Sequence, residues 1–224
     1  MPSPIWFASH RPGFVTGLRA EARLAAPLGP VAVGGGLPAG AAEAAARLLA
    51  DGASAIVSFG LCGGLAPALR PGDLVVPRAV LWRGRSYPVD TALAVALGGI
   101  SAELLLADEV PVSVPSDKTA RFAATGASAV DLESGAVAEI AARAGMPFAV
   151  LRAVCDPAGA QLPPAALIAL DAGGRIAPWR VAGSLIRQPG QLAALLALGR
   201  AAAAARRALV RRVGDIGHGR FLVP

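Results

Sequence analysis

From Val130 to Gly159 the chain reads VDLESGAVAEIAARAGMPFAVLRAVCDPAG, and this stretch constrains the fold more than any other. Ala136, Val137, Ile140 and Ala141 recur at helical spacing, and Gly145 with Pro147 ends the helix they predict. Phe148 to Val154 is an apolar run cut only by Arg152, the pattern of a buried strand. A helix followed by a buried strand is half of a parallel α/β unit, and in such sheets ligands sit beyond the carboxyl ends of the strands. Asp156 falls just past such an end, while Asp131 and Glu133 open the helix. Three acids are therefore expected at one crevice.

Upstream, the same alternation repeats. Phe14 to Gly17 reads as a strand with a glycine exit, followed by the helical LRAEARLAA. Val31 to Val33 leads through GGGLPAG into the helix AAEAAARLLADG, and Ala55 to Gly60 is a buried strand with the exit loop LCGGL. Leu74 to Val76 and Arg78 to Trp82 predict strand, Asp90 to Leu97 helix, Val110 to Val114 strand, and Pro115 to Lys118 loop. Beyond Asp156 the stretches PAGAQLPPAAL and DAGGRIAPW are turn-rich. From Gln188 onward a long helix is expected, with Leu192, Leu196, Ala203 and Val210 facing the core. Arg200, Arg207 and Arg211 form a solvated basic edge, and Gly199 is a candidate kink. That pattern also fits a helix lying on a membrane surface, and core packing is the stronger reading. Without repeats or a linker, residues 1–224 read as a single domain.

Composition removes several function classes. The net charge is +6, yet Lys118 is the only lysine and the excess arginine goes with abundant Ala, Gly and Pro. That is a bias of the whole chain rather than a nucleic-acid patch, and aromatic residues for base stacking are few. No window approaches the length of apolar sequence needed to span a bilayer. MPSPIWFASHRPG is too short and proline-broken for a signal peptide, so a cytoplasmic protein is expected, its cysteines Cys62 and Cys155 unbridged. His10 and His218 lie near the termini and no zinc spacing occurs, so no metal and no cofactor are expected. There is no GxSxG elbow, no Walker loop and no GxGxxG fingerprint. What remains is a small-ligand enzyme built on carboxylates, arginines and glycine loops. Singly, Glu21 and Glu133 are also what a first helical turn prefers, and aspartate before proline also begins turns.

At these residues the chain resembles the nucleoside phosphorylase and methylthioadenosine/adenosylhomocysteine nucleosidase superfamily. SFGLCGGLAPALRPGDLVV is similar to that family's strand and glycine loop followed by GD and two apolar residues. VDLESGAVAEIAARAGMPFAVLRAVCDPAG is similar to its block ending in R-x-[IV]-[SC]-D. The resemblance covers roughly residues 14 to 160. It implies a three-layer α/β/α sandwich with a mixed central sheet, acting on the N-glycosidic bond of a purine nucleoside. Asp156 matches the acid that protonates purine N7, and Glu133 the carboxylate that grips the ribose hydroxyls. Leu132 stands where methionine is usual under the sugar. Leu61, Cys62 and Gly63 match the loop lining base and sugar, and Cys155 stands where serine often precedes the acid. Asp131 is left a structural or capping role.

The nucleophile stays open in the sequence. Glu21 matches the glutamate that activates water in the hydrolytic branch. Gly17 and Arg19 match the turn that helps hold phosphate in the phosphorolytic branch, where inorganic phosphate is a co-substrate. Ser58 and Leu61 depart from the Arg and Ser that hexameric phosphorylases carry in the glycine loop. LRAEARLA, GGGLPAG, SDKTARFAATGASAVDLES and IRQPGQLAALLALGRAA are together similar to hopanoid-associated phosphorylases. That branch implies phosphorolytic release of adenine from adenosylhopane, a lipid-linked nucleoside, with peripheral contact at the inner membrane. A hydrolytic methylthioadenosine/adenosylhomocysteine nucleosidase is the alternative, and a non-catalytic nucleoside-binding module a second. The resemblance also implies a homodimer or higher homo-oligomer.

Overall fold

Among the described residues nine strands form one mixed sheet, and their order explains why the acids meet. The computed structural model describes residues 5–168 and 177–218. The chain runs α1 (Ile5–Ser9), β1 (Pro12–Thr16), α2 (Arg19–Ala25), β2 (Val31–Val33), α3 (Pro38–Ala50) and β3 (Ala55–Gly64). Then come β4 (Leu74–Val75), β5 (Pro77–Trp82), β6 (Arg85–Pro88), α4 (Thr91–Ala96), β7 (Ala102–Ala107) and α5 (Pro115–Thr125). β8 (Ala129–Asp131), α6 (Ser134–Arg143) and β9 (Phe148–Asp156) follow, and α7 (Pro164–Leu167), α8 (Pro178–Arg187) and α9 (Leu192–Gly217) complete it. Helices α3 and α6 pack on one face of the sheet, α2 and α9 on the other. This is the expected α/β/α sandwich.

The sheet order is β2-β1-β3-β8-β7-β5-β6, with β9 pairing β3 and β4. Strand β3 is the pivot. It runs parallel to β1 as far as Ser58, parallel to β9 along its length, and antiparallel to β8 at Gly63 and Gly64. Its register on β9 shifts between Cys62 and Gly63. A strand that changes neighbours in this way opens the crevice where α/β sheets place ligands.

Several expectations change. LCGGL is not an exit loop: β3 continues through it to Gly64, because β9 and then β8 supply backbone partners. Strand structure lies at Ala102–Ala107 rather than 110–114, where Pro111 and Pro115 deny the segment ladder donors. Pro115 to Lys118 is the first turn of α5, with proline at the position where a missing N–H costs nothing. Gly199 lies within an unbroken α9. The face of that helix is also reversed: Ala205, Ala208, Leu209, Val213 and Ile216 are buried, while Leu192, Leu196 and Val210 are exposed. Small alanines let α9 lie close on β9, so the stripe of Leu192, Leu196 and Val210 does not mark its core side. Much of the turn-rich DAGGRIAPW stretch lies outside the described residues.

Helices α7 and α8 and the start of α9 close over the carboxyl edge. Gln191, buried at the start of α9, accepts from Ala165 N at 2.9 Å and donates to Ser184 O at 2.9 Å. One side chain thereby holds α7 and α8 to α9. No helix among the described residues is long and apolar enough to cross a membrane.

Candidate active site

Where β1 has stopped and β8 has not begun, the backbone of Leu61 turns to side chains. Its N–H donates to Glu21 Oε1 at 3.0 Å, and its carbonyl accepts from Arg152 Nη1 at 3.2 Å. Glu21 Oε2 accepts from Leu18 N at 2.9 Å, so this acid also caps its helix, as a first-turn glutamate does. Arg152 interrupts the apolar run of β9 because acids surround it. Its Nη2 donates to Glu133 Oε2 at 2.6 Å and to Ser58 Oγ at 2.7 Å. Its Nε lies 2.7 Å from Asp131 Oδ2, a charge contact too poorly aligned to be a hydrogen bond. Glycine is required where these groups pass. A Cβ on Gly60 would stand 2.8 Å from both Arg152 Nη1 and Glu21 Cδ, and one on Gly17 2.0 Å from Glu133 Oε1.

Three buried carboxylates thus share one guanidinium, and the imbalance bears on Glu133 and Glu21. Burial works against the Arg152 charge, but Asp131, Glu133 and Glu21 together hold its pKa above the usual arginine value. Burial pushes Glu133 up, with Arg152 opposing. Glu21 is pushed to about 7, first by burial and then by the Glu133 charge. A group raised from 4.5 in the unfolded chain to about 7 in the folded one contributes stability that is complete below 4.5 and lost as pH rises through 7. Glu21→Gln should flatten that part of the stability profile, which denaturant melts across this pH range will read.

Asp156 ends β9 under a different cation. Lys118, fully enclosed, donates through Nζ to Asp156 Oδ2 at 2.7 Å and to the carbonyls of Pro157 and Ala160, each at 3.0 Å. Cys155 Sγ donates to Asp156 Oδ1 at 3.2 Å. Burial raises the Asp156 carboxyl above its ordinary value, with Lys118 pulling it back. Burial likewise pushes the Cys62 and Cys155 thiols well up, leaving them packing groups rather than nucleophiles.

A cavity of about 540 Å³ joins these groups. Glu21, Leu61, Cys62, Gly63, Asp131, Leu132, Glu133 and Asp156 all line it, as does Arg152. Asp131 Oδ1 accepts from Glu133 N at 3.3 Å and Ser134 N at 3.1 Å, tying down the start of α6. Gly17 backs onto Glu133, but Arg19 turns away. It lines a separate cavity of about 510 Å³ with Arg23, Glu43 and Arg47 beside Gly34 and Gly35. Arg152 and Lys118 were the residues sequence reasoning missed. A charge inside a buried strand needs partners, so the break in FAVLRAV was a readable signal. Nothing comparable marked Lys118.

The family profile of the phosphorylase superfamily matches residues 28–94 and 87–169, well over half of the sequence. The chain belongs to the phosphorylase superfamily. Solved structures share its architecture. A mutant of Helicobacter pylori MTAN with 5′-methylthioadenosine in its active site is 15% identical with a TM-score of 0.62, over 92% of this chain and 99% of that one. The S-adenosylhomocysteine nucleosidase of Streptococcus pyogenes is 16% identical with a TM-score of 0.64, over 96% and 98%. The methylthioadenosine/S-adenosylhomocysteine nucleosidase of Colwellia psychrerythraea, in complex with adenine, is 17% identical with a TM-score of 0.63, over 92% and 96%. At such identities the likeness establishes the fold of this superfamily member. Comparison with curated proteins gives no match to the sequence.

Proposed function

We propose that the chain releases adenine from an adenosine that carries a large apolar 5′ substituent, with water as the nucleophile. The observation that carries this reading is the convergence of Asp156, Glu133 and Glu21 on one cavity, with Glu21 poised at about 7. Asp156 donates its proton to purine N7, Glu133 accepts from the ribose hydroxyls, and the C1′–N9 bond breaks with its electron pair passing into the base. Water attacks C1′ and gives its proton to Glu21, whose near-neutral pKa suits a general base at physiological pH.

Phosphorolysis, the first reading of the sequence, needs cationic support for phosphate beside C1′. Among the described residues the cations that line the cavity are Arg152, already enclosed by acids, and Arg206 on α9, while Arg19 lines the other cavity. A phosphate dianion next to Glu21 and Glu133 would meet like charge. Adenine release should therefore proceed at the same rate with and without phosphate and yield the free sugar. Phosphate-dependent release yielding a sugar 1-phosphate would establish the phosphorylase instead.

The rest of the lining supports an apolar 5′ group. Beyond the carboxylates the wall is Val112, Leu162, Ala166, Val181, Leu195 and Leu198. Each methylene buried there contributes about 0.8 kcal/mol, so roughly every two carbons of a longer tail raise affinity about tenfold. Adenosylhopane, the substrate to which the resemblance points, is expected to be preferred over methylthioadenosine in kcat/KM. The opposite preference would sink that assignment. Peripheral contact with the inner membrane and self-association belong to the same reading.

A further inference from the structure

We propose that α8 and the outward side of α9 form a docking face for an anionic lipid bilayer, set against the apolar wall of the cavity. In α8, Trp179 and Ile186 are seven residues apart, hence on one line of the helix, and are 70% and 83% exposed. Arg180 and Arg187 each follow by one position and flank that line. Val181 and Leu185 turn the other way, and Val181 lines the cavity. The helix is thus apolar on its inner and outer sides, with no buried residue of its own. Leu192 and Leu196, on the first turns of α9, are 49% and 55% exposed. Further along the same stripe lies exposed Val210, edged by Arg200, Arg207 and Arg211. Leu167 and Ile168 at the end of α7 are exposed as well.

Large apolar side chains from three consecutive elements therefore stand in water beside the cavity that the same elements help to enclose. Patches of this kind mark interaction sites. Charge selects the occupant. From Pro178 to Gly214 the chain holds arginines and no acid. A second copy laid on this face would oppose arginine to arginine. An anionic bilayer opposes arginine to phosphate and takes Trp179 and Ile186 below the headgroups, where tryptophan is favoured. Gly199 and Arg206 are exposed and line the cavity, so it reaches the surface beside α9. Given the catalytic reading above, on which this last step alone rests, the apolar 5′ tail passes from the bilayer into the cavity without crossing water.

The test is co-sedimentation of the full chain with vesicles of phosphatidylcholine alone and of phosphatidylcholine mixed equally with phosphatidylglycerol. Binding is expected to the mixed vesicles, weaker by about tenfold or more to the neutral ones, and reduced by salt. The pair Trp179→Ser and Ile186→Ser should lower partitioning at least about tenfold. Arg180→Gln with Arg187→Gln should weaken the dependence on phosphatidylglycerol. Leu37→Ser, an exposed apolar position elsewhere, should change nothing. Turnover of soluble methylthioadenosine should be the same in all these variants. Equal or absent binding to both vesicle types overturns the proposal, as does a dimer in sedimentation velocity that the Trp179/Ile186 variant dissociates. Vesicle binding without turnover of any nucleoside would instead sink the catalytic reading alone.

Discussion

Replacing Asp156 with asparagine is expected to slow adenine release on the order of 10²–10⁴-fold, the usual worth of a positioned general acid. The amide keeps an oxygen where Asp156 Oδ2 now accepts from Lys118 at 2.7 Å, so the loop after β9 keeps its anchor. What it loses is the proton. Adenine is a poor leaving group as an anion, and protonation at N7 lets it depart neutral. A riboside whose leaving group is already a stable anion, such as nitrophenolate, needs no such help and should lose far less rate in the same variant. That contrast separates an acid from a residue that only shapes the pocket. The measurement is kcat for both substrates, beside a thermal melt to show that the fold persists. A non-catalytic nucleoside binder would show no turnover to lose, and an equal loss for both leaving groups would sink the acid role.

Much of this site was legible because carboxylates at helix starts and strand ends advertise themselves. Asp131, Glu133 and Asp156 sit at the boundaries of α6 and β9, and those boundaries follow from periodicity, Gly145 and Pro147. The glycine run LCGGL was visible, but not that it stays in the sheet, since its partners come from residues about 65 to 90 positions later. Long-range pairing of that sort has no local signature. The same holds for Lys118, buried at the start of α5, where a lysine would ordinarily face solvent. In α9 the pattern misled outright. The stripe of Leu192, Leu196 and Val210 usually marks a core face, yet here Ala205, Ala208 and Leu209 do, and that stripe is left exposed.

Lys118→Met is expected to cost about 3–5 kcal/mol of stability, the range for removing one partner of a buried ion pair. Methionine nearly matches the length of the lysine stem, so the loss is of charge and donors rather than volume. Three N–H groups of Nζ are matched by Asp156 Oδ2 and the carbonyls of Pro157 and Ala160. The effect should depend on pH with a definite sign. Burial already raises the Asp156 carboxyl, and Lys118 is the group that lowers it, so its removal raises that carboxyl further. An acid with a raised folded-state pKa lends stability below its unfolded value of 3.8 and loses it as pH climbs through the folded value. The deficit of the variant should thus be smallest in acid, where Asp156 is neutral and needs no cation, and grow toward alkaline pH. In catalysis the limb on which activity falls as Asp156 ionises should move to higher pH, because the acid keeps its proton longer. Lys118→Arg, which retains the charge, should restore the limb toward its original position even if its bulk costs stability. Melts at several pH values and a kcat/KM profile read both effects. A deficit independent of pH with an unmoved limb would mean that Lys118 only fills space beneath Asp156.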